Sequence, residues 1–453
     1  MAAKAVKVLV RIRPFPEARE GCPSSQASWL AHGQDWIALC DPADPLAASL
    51  SNVAAPASPA PCRRRRYDFD CVLGPGCSQS EIFENCRPLV HRALKGLSGC
   101  VLAYGPTGSG KTYTMRGACG GGKMRRGEAG KLARRRGGIV PRAVDALFDA
   151  VEEQPADTYR VSLTALELHS DRLKDLLAVD ERSKHPLPIE ADAARRARAE
   201  IKLLSDGSVV GSRTFQTPVS NRHEMHELLA RADAARSVGA TAGNESSSRS
   251  HQLIRVEVER VGDGLKGRTA GRLDLVDLAG LEPLEGTSAH LQETIAINSS
   301  LAALCDMVGA LSRSEVRCPP AATHFHVHNL RQPATRLESP FPNPGMARDA
   351  MGALWAPVLT VPLSSQASHK PSVRANKLTH LLVGSVGGTS STVFIATVCS
   401  DEHARQRTHK TLEIAARAAN VRGQPVVRQC WTQLRQGQAQ VGRGGGVGYG
   451  VPS

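Results

Sequence analysis

Residues 100–112 read CVLAYGPTGSGKT: a mostly apolar run, then a glycine-rich turn closing on Lys111 and Thr112. A short apolar run bounded by a turn signal reads as a buried strand. Gly105, Pro106, Thr107, Gly108, Ser109, Gly110, Lys111 and Thr112 fit the pattern G-x-x-x-x-G-K-[ST]. A strand leading directly into that pattern is the context that gives it meaning. Each residue type has a physical task. Glycines let successive backbone N–H groups turn inward around phosphate oxygens. The lysine sets a compact charge beside the β- and γ-phosphates, and the next hydroxyl is a ligand for Mg2+. A helix starting there aims its N-terminal dipole at the same anion. The stretch implies a site for a nucleoside triphosphate with Mg2+, against the bland alternative of a chance glycine-rich turn.

Working outward, GRLDLVDLAG (271–280) alternates as a strand and ends at Asp277. In such a site an aspartate on a neighbouring strand holds Mg2+, usually through water. Gly280 is then placed to donate its backbone N–H to the γ-phosphate. Without the glycine-rich turn, Asp277 would pass for a surface residue closing a strand. Further strands are expected at VKVLVRIR (6–13), YDFDCVL (67–73), YRVSLTALELH (159–169) and HQLIRVEVERV (251–261). Helical spacing appears in SQSEIFENCRPLVHRALKGL (78–97), PRAVDALFDAVEE (141–153), DRLKDLL (171–177), NRHEMHELLARADAARSV (221–238) and LQETIAINSSLAALCDMVGALS (291–312). Strands alternating with helices predict an α/β architecture, a sheet covered on both faces.

With 453 residues, 41% of them apolar and 22% charged, the chain has ordinary globular composition. Aromatics at 4% argue against a stacking platform for single-stranded nucleic acid. A net charge of +14 suggests an acidic partner, whether nucleic acid, anionic lipid or protein. The 12 cysteines include no CxxC pair, as expected of reduced thiols rather than a disulfide framework. MAAKAVKVLVRIRPF lacks the apolar segment and cleavage site of a signal peptide, and no stretch reads as a membrane span of ~20 apolar residues. A soluble cytoplasmic protein is the expectation.

Residues 313–371 are Pro-rich and aperiodic, and the tail from 423 ends in GRGGGVGYGVPS; both are expected to be disordered. His324, His326 and His328 alternate as metal ligands on one strand face would, but without Cys or acidic companions they read as surface histidines. The basic runs Arg63–Arg66 and Lys123–Arg136 suit an acidic protein surface or nucleic acid, and suit solvated loops better.

Several segments together resemble one family. NESSSRSH (244–251) is similar to switch I of kinesin motor domains, and DLAGLE (277–282) to their switch II. RIRP (11–14), FDCVLGPGCSQSEIF (69–83), GIVPRAVDALF (138–148), INSSLAAL (297–304), ANKLTHLLVGSVGG (375–388) and TLEIAARAANV (411–421) agree in order and spacing. The resemblance covers residues 6–422 and implies a P-loop NTPase of kinesin motor type, with a mixed, mostly parallel central sheet. It implies ATP as cofactor and microtubules as partner. Arg11, Arg13 and Pro14 would line the adenine pocket, and Ser248 would join Thr112 and Asp277 at Mg2+. Ser247 would orient the attacking water. Arg249 and Glu282 would form a latch that closes on ATP, which suits phosphoryl transfer because that reaction needs mostly positioning and charge neutralisation.

The same resemblance shows departures. Leu281 and Pro283 stand where the family usually has serine and arginine, and the loop 283–291 contains no Lys or Arg. Ser299 replaces a usual lysine, while Arg374 and Lys377 persist in SVRANKLT (372–379). These positions belong to the family's tubulin-facing side, so the nucleotide half reads as intact and the track half as weakened. The expectation is an ATP-dependent microtubule motor; the alternatives are a non-motile, kinesin-like tubulin-binding or regulatory protein and, on charge alone, a nucleic-acid-stimulated ATPase, for which nucleic acid is the less expected partner. No neck or coiled-coil stalk is readable in these residues, so direction, cargo and oligomeric state are not.

Overall fold

Alternation within each strand assigns its side chains to two cores. In VKVLVRIR, Val6, Val8, Val10 and Ile12 enter one core and Leu9 the other; in CVLAY, Cys100, Leu102 and Tyr104 oppose Val101 and Ala103. The computed structural model describes residues 3–14, 29–39, 65–118, 137–155, 158–179, 186–188, 202–203, 209–210, 216–237, 246–261, 268–281, 288–313, 376–427 and 429–430. They belong to one compact unit, Met1–His324 with Pro371–Ser453. Most of the expected insert and the end of the tail lie outside the described residues, as do His324, His326, His328 and Lys123–Arg136.

The main strands are β1 (Val6–Arg13), β2 (Cys71–Leu73), β3 (Ser98–Tyr104), β4 (Tyr159–His169), β5 (Arg172–Val179), β6 (Pro186–Pro188), β7 (His251–Arg260), β8 (Arg268–Asp277) and β9 (Ser390–Cys399). They lie in the order β6-β5-β4-β7-β8-β3-β9-β1-β2 in an 11-stranded sheet. From β8 through β3, β9 and β1 to β2 every pair is parallel; from β6 to β8 every pair is antiparallel. The glycine-rich turn leaves the carboxyl end of β3, inside the parallel half, where crossovers leave a crevice for ligands.

Helices α1 (Gln79–Glu84), α2 (Arg87–Leu94), α3 (Lys111–Arg116), α4 (Ile139–Glu152), α5 (Arg222–Ser237), α6 (Ser246–Arg249), α7 (Ser288–Ser312), α8 (Lys377–Leu381) and α9 (Arg405–Ala418) complete the unit. Buried residues of α1, α2, α4 and α5 pack on one face of the sheet, and those of α7, α8 and α9 on the other.

Three expectations are corrected. The single helix over 78–97 is two, α1 and α2. Ser78 caps α1 through a reciprocal box with Glu81, and Pro88 falls in the first turn of α2, where its missing N–H costs nothing. DRLKDLL is not a helix but the start of β5. Ser170 (φ 47) and Asp171 (φ 62) make a tight turn that folds β5 back on β4, with His169 opposite Arg172 and Leu168 opposite Leu173. The leucines at 173, 176 and 177 mimic helical spacing, but they are buried on the two faces of a strand. Finally, Leu291–Ser312 is long and apolar enough, by length and composition, to cross a membrane. Here its apolar residues Ile297, Leu301, Leu304, Met307, Val308 and Leu311 fill the core beside β3 and β9, as a core helix does.

Candidate nucleotide site

All seven residues of β3 are buried, so the strand holds the turn at a fixed height above the sheet. Gly110 then takes φ 96, a left-handed conformation that costs glycine little, and the chain reverses into α3. Lys111 opens that helix. It is only 6% exposed, and its Nζ donates to the carbonyls of Gly105 at 3.1 Å and Pro106 at 3.0 Å, the partners a buried ammonium requires. Ser109 Oγ bonds Pro106 O and Thr397 Oγ1, each at 2.7 Å, which ties the turn to β9.

Thr112 Oγ1 donates to Asp277 Oδ2 at 2.9 Å, so two of the three residues expected at Mg2+ meet at the carboxyl end of adjacent parallel strands. Asp277 is buried, and Arg236 Nη1 from the last turn of α5 donates to the same oxygen at 2.9 Å. Asp277 Oδ1 is buried with no hydrogen-bond partner among the described residues. An oriented hydroxyl beside a carboxylate oxygen with spare capacity fits a hydrated Mg2+, a cation that keeps several waters and takes few protein ligands. No group of three or more His, Cys, Asp or Glu that would cage a metal occurs among the described residues.

Arg236 is the functional-site residue that motif spacing missed. Its guanidinium also bonds Gln252 Oε1 and Ser250 O, both at 2.9 Å, and so joins α5 and β7 to the end of β8. Its sequence signal is weak: one arginine near the end of a predicted helix, thirteen residues before Arg249.

The two switch-like segments touch each other. A Cβ on Gly280 would stand 1.9 Å from Thr107 Oγ1, so only glycine lets this strand end approach the P-loop. Its N–H, expected to meet a γ-phosphate, donates in this structure to Ser248 O at 2.8 Å. Ser248 itself is half-buried on α6. Ser247 lies in the same helix, with its side chain outside the described residues, and Glu282 lies outside them altogether. Arg249, expected to pair with Glu282, which lies outside the described residues, donates to Glu293 Oε2 of α7 at 3.1 Å, and His169 Nε2 meets the other carboxylate oxygen at 2.6 Å. Burial raises the Glu293 pKa, but His169 and Arg249 outweigh it and hold the group below the usual carboxylate range.

At the expected adenine pocket, Arg11 is buried rather than presented. It donates to Thr114 Oγ1 at 2.8 Å and Gln79 Oε1 at 3.2 Å, and its guanidinium lies 5.0 Å from the Tyr113 ring centre. Desolvation lowers its pKa from the ordinary guanidinium value. Arg13 donates to Gly108 O, and Pro14 is exposed beside it. Tyr113, 46% exposed and directly after Thr112, is the aromatic surface at this edge; composition drew attention away from it.

A glycine-rich turn closing on a buried lysine after a parallel strand, a neighbouring aspartate and two mutually bonded switch-like segments define a P-loop fold of the α/β class. The kinesin motor domain family model matches residues 11–327. Kinesin-like protein KIN-5C of Nicotiana tabacum is 30% identical over 435 residues, covering 94% of this chain and 35% of that protein. Kinesin-like protein KIFC1 of Cricetulus griseus is 35% identical over 328 residues, 69% of this chain and 49% of its own. The solved structure of a fast kinesin superposes with TM-score 0.64 at 25% identity, over 97% of this chain and 98% of that one. A KIF14 dimer bound to AMP-PNP and a microtubule shares the fold at TM-score 0.64 and 22% identity, over 95% and 97% of the two chains. This chain belongs to the kinesin motor domain family, whose members are microtubule motors and ATPases. It spans about a third of the length of the KIN-5C relatives it matches.

Proposed function

We propose that this chain binds ATP with Mg2+ at residues 105–112, hydrolyses it, and couples hydrolysis to binding and movement along microtubules in the cytoplasmic cytoskeleton. The observation that carries the nucleotide half is the 2.9 Å bond from Thr112 to Asp277 beside the buried Lys111. In use, Lys111 exchanges its two carbonyl partners for phosphate oxygens. Thr112, Ser248 and Asp277 would hold Mg2+, Asp277 through water, and the ion would supply charge neutralisation for the triphosphate. Tyr113 gives the adenine a face to stack on, braced from beneath by Arg11, with Arg13 and Pro14 at the rim.

Gly280 N–H leaves Ser248 O to meet the γ-phosphate, so the switch segments part as nucleotide enters. Ser247 orients water, and Glu282 draws its proton away through a second water. Arg249 exchanges between Glu293 and Glu282, which makes Glu293 its resting partner.

The second reading, a non-motile tubulin-binding member, is favoured by one observation. Leu291 and Ile295 are exposed on α7, at 36% and 50%, with Ser299 one turn further on. That edge therefore carries no cation where the family has a lysine. Co-pelleting with microtubules in the ATP-analogue state but not with ADP supports the motor. Equal pelleting in both states supports the second reading. A chain joining Ser312 to Lys370 should keep its nucleotide affinity and gain microtubule affinity; lower microtubule affinity would make that segment a working part of the interface.

A further inference from the structure

His251 opens β7 immediately after the switch helix α6 and is 4% exposed. Its Nδ1 lies 3.1 Å from the backbone nitrogen of Ala279 and accepts that N–H. A ring that accepts at Nδ1 and is neutral carries its proton on Nε2, and Nε2 lies 2.7 Å from Ser300 Oγ of α7. Ser300 in turn donates to Ile297 O at 2.7 Å. Burial, reinforced by the Arg236 and Lys111 charges, lowers the imidazole pKa to about 3, so the ring stays neutral and the direction of the chain is fixed.

Ala279 directly precedes Gly280. Both amides are held from the switch I side, one by His251 and the other by Ser248 O at 2.8 Å. At the other end, Ser300 borders a cavity of about 430 Å³ between α7 and α8, lined also by Ser299, Ile297, Lys377 and His380. Close-packed interiors resist small displacements, whereas a helix beside a cavity has room to shift.

We propose that His251 is a positioning residue that ties the Ala279 backbone to Ser300, so that a change in what Gly280 N–H binds displaces α7 at Ser300. This rests on the nucleotide reading above and deepens it by naming the link. A helix coupled to the switch only through general packing would respond in the same way with or without the Ser300 hydroxyl.

The test compares hydrogen exchange of α7 in the full chain with Mg-ADP and with Mg-AMP-PNP, alongside the dissociation constants of both nucleotides. Ser300→Ala breaks only the α7 end of the link. It should bind both nucleotides within about threefold of the parent and lose the nucleotide-dependent difference in exchange over residues 297–304. Ser300→Thr keeps the hydroxyl, has the cavity to receive its methyl group, and should retain the difference. His251→Asn can still accept from Ala279 but is too short to reach Ser300. Combined with Ser300→Ala it should do no more than either change alone. A Ser300→Ala chain that binds both nucleotides and keeps the full difference, or additive effects in the double variant, overturns the proposal and leaves the nucleotide reading standing. A parent chain that binds neither nucleotide overturns both.

Discussion

Replacing Arg236 by methionine removes the counter-charge of Asp277 at the proposed Mg2+ site, together with the bonds to Gln252 and Ser250. The Arg236 and Asp277 side chains are 6% and 2% exposed and 2.9 Å apart. Methionine roughly fills the arginine stem, so the cavity contribution is small. What remains is a buried carboxylate that has lost its counter-charge, which costs ~3–5 kcal/mol. The unfolding free energy in urea should therefore fall by about 4 kcal/mol at unchanged slope, and the melting temperature by several degrees. Mg-ADP brings a cation to the same carboxylate, so the variant should bind it more tightly, and at the same Mg-ADP concentration the ligand should stabilise the variant more than the parent, by about 2 kcal/mol. The assay is urea unfolding of both chains with and without Mg-ADP. Equal stabilisation by Mg-ADP, or an unchanged midpoint without it, would refute the placement of Asp277 at the ion.

Three further outcomes are expected. Lys111→Ala should abolish ATP turnover in a folded chain, because the β- and γ-phosphates lose their charge clamp; near-normal turnover would remove the P-loop assignment. Glu282→Ala should bind ATP but turn it over slowly in single-turnover assays, since its role falls after binding; lost affinity with unchanged turnover per bound ATP would mean a different role. Asp274→Asn should destabilise at neutral pH and remove part of the acid-unfolding limb. Burial raises the Asp274 pKa, but the Arg255 and Arg272 guanidinium groups dominate and hold it at about 2 against an ordinary 3.8. The unfolded chain thus takes up this proton first as pH falls. The stabilisation is complete above about pH 3.8 and is lost between there and about pH 2, which a pH series of urea midpoints reads directly.

Much of the fold and part of the site were legible because they are local in sequence. The P-loop and Asp277 each end a strand whose pattern announces it, and their 2.9 Å contact follows from β3 and β8 being parallel neighbours. Arg236, His251 and Ser300 act through contacts between distant segments, 49 residues apart in the His251–Ser300 case, which no spacing rule reports. The failure at DRLKDLL has a different cause. Its leucines satisfy a helical period, and the hairpin is set by two positive-φ residues, Ser170 and Asp171, that few would choose for such a turn. The contact of Arg249 with Glu293 is likewise invisible to spacing, because it depends on the approach of α7 to α6, a tertiary fact.

The most direct measurement of the central claim is steady-state ATPase activity of the purified chain with Mg2+, alone and with polymerised microtubules, with duplex DNA and RNA as controls. The account predicts slow basal turnover that rises severalfold with microtubules and does not change with nucleic acid. Turnover that is identical with and without microtubules, or that rises only with nucleic acid, would contradict it.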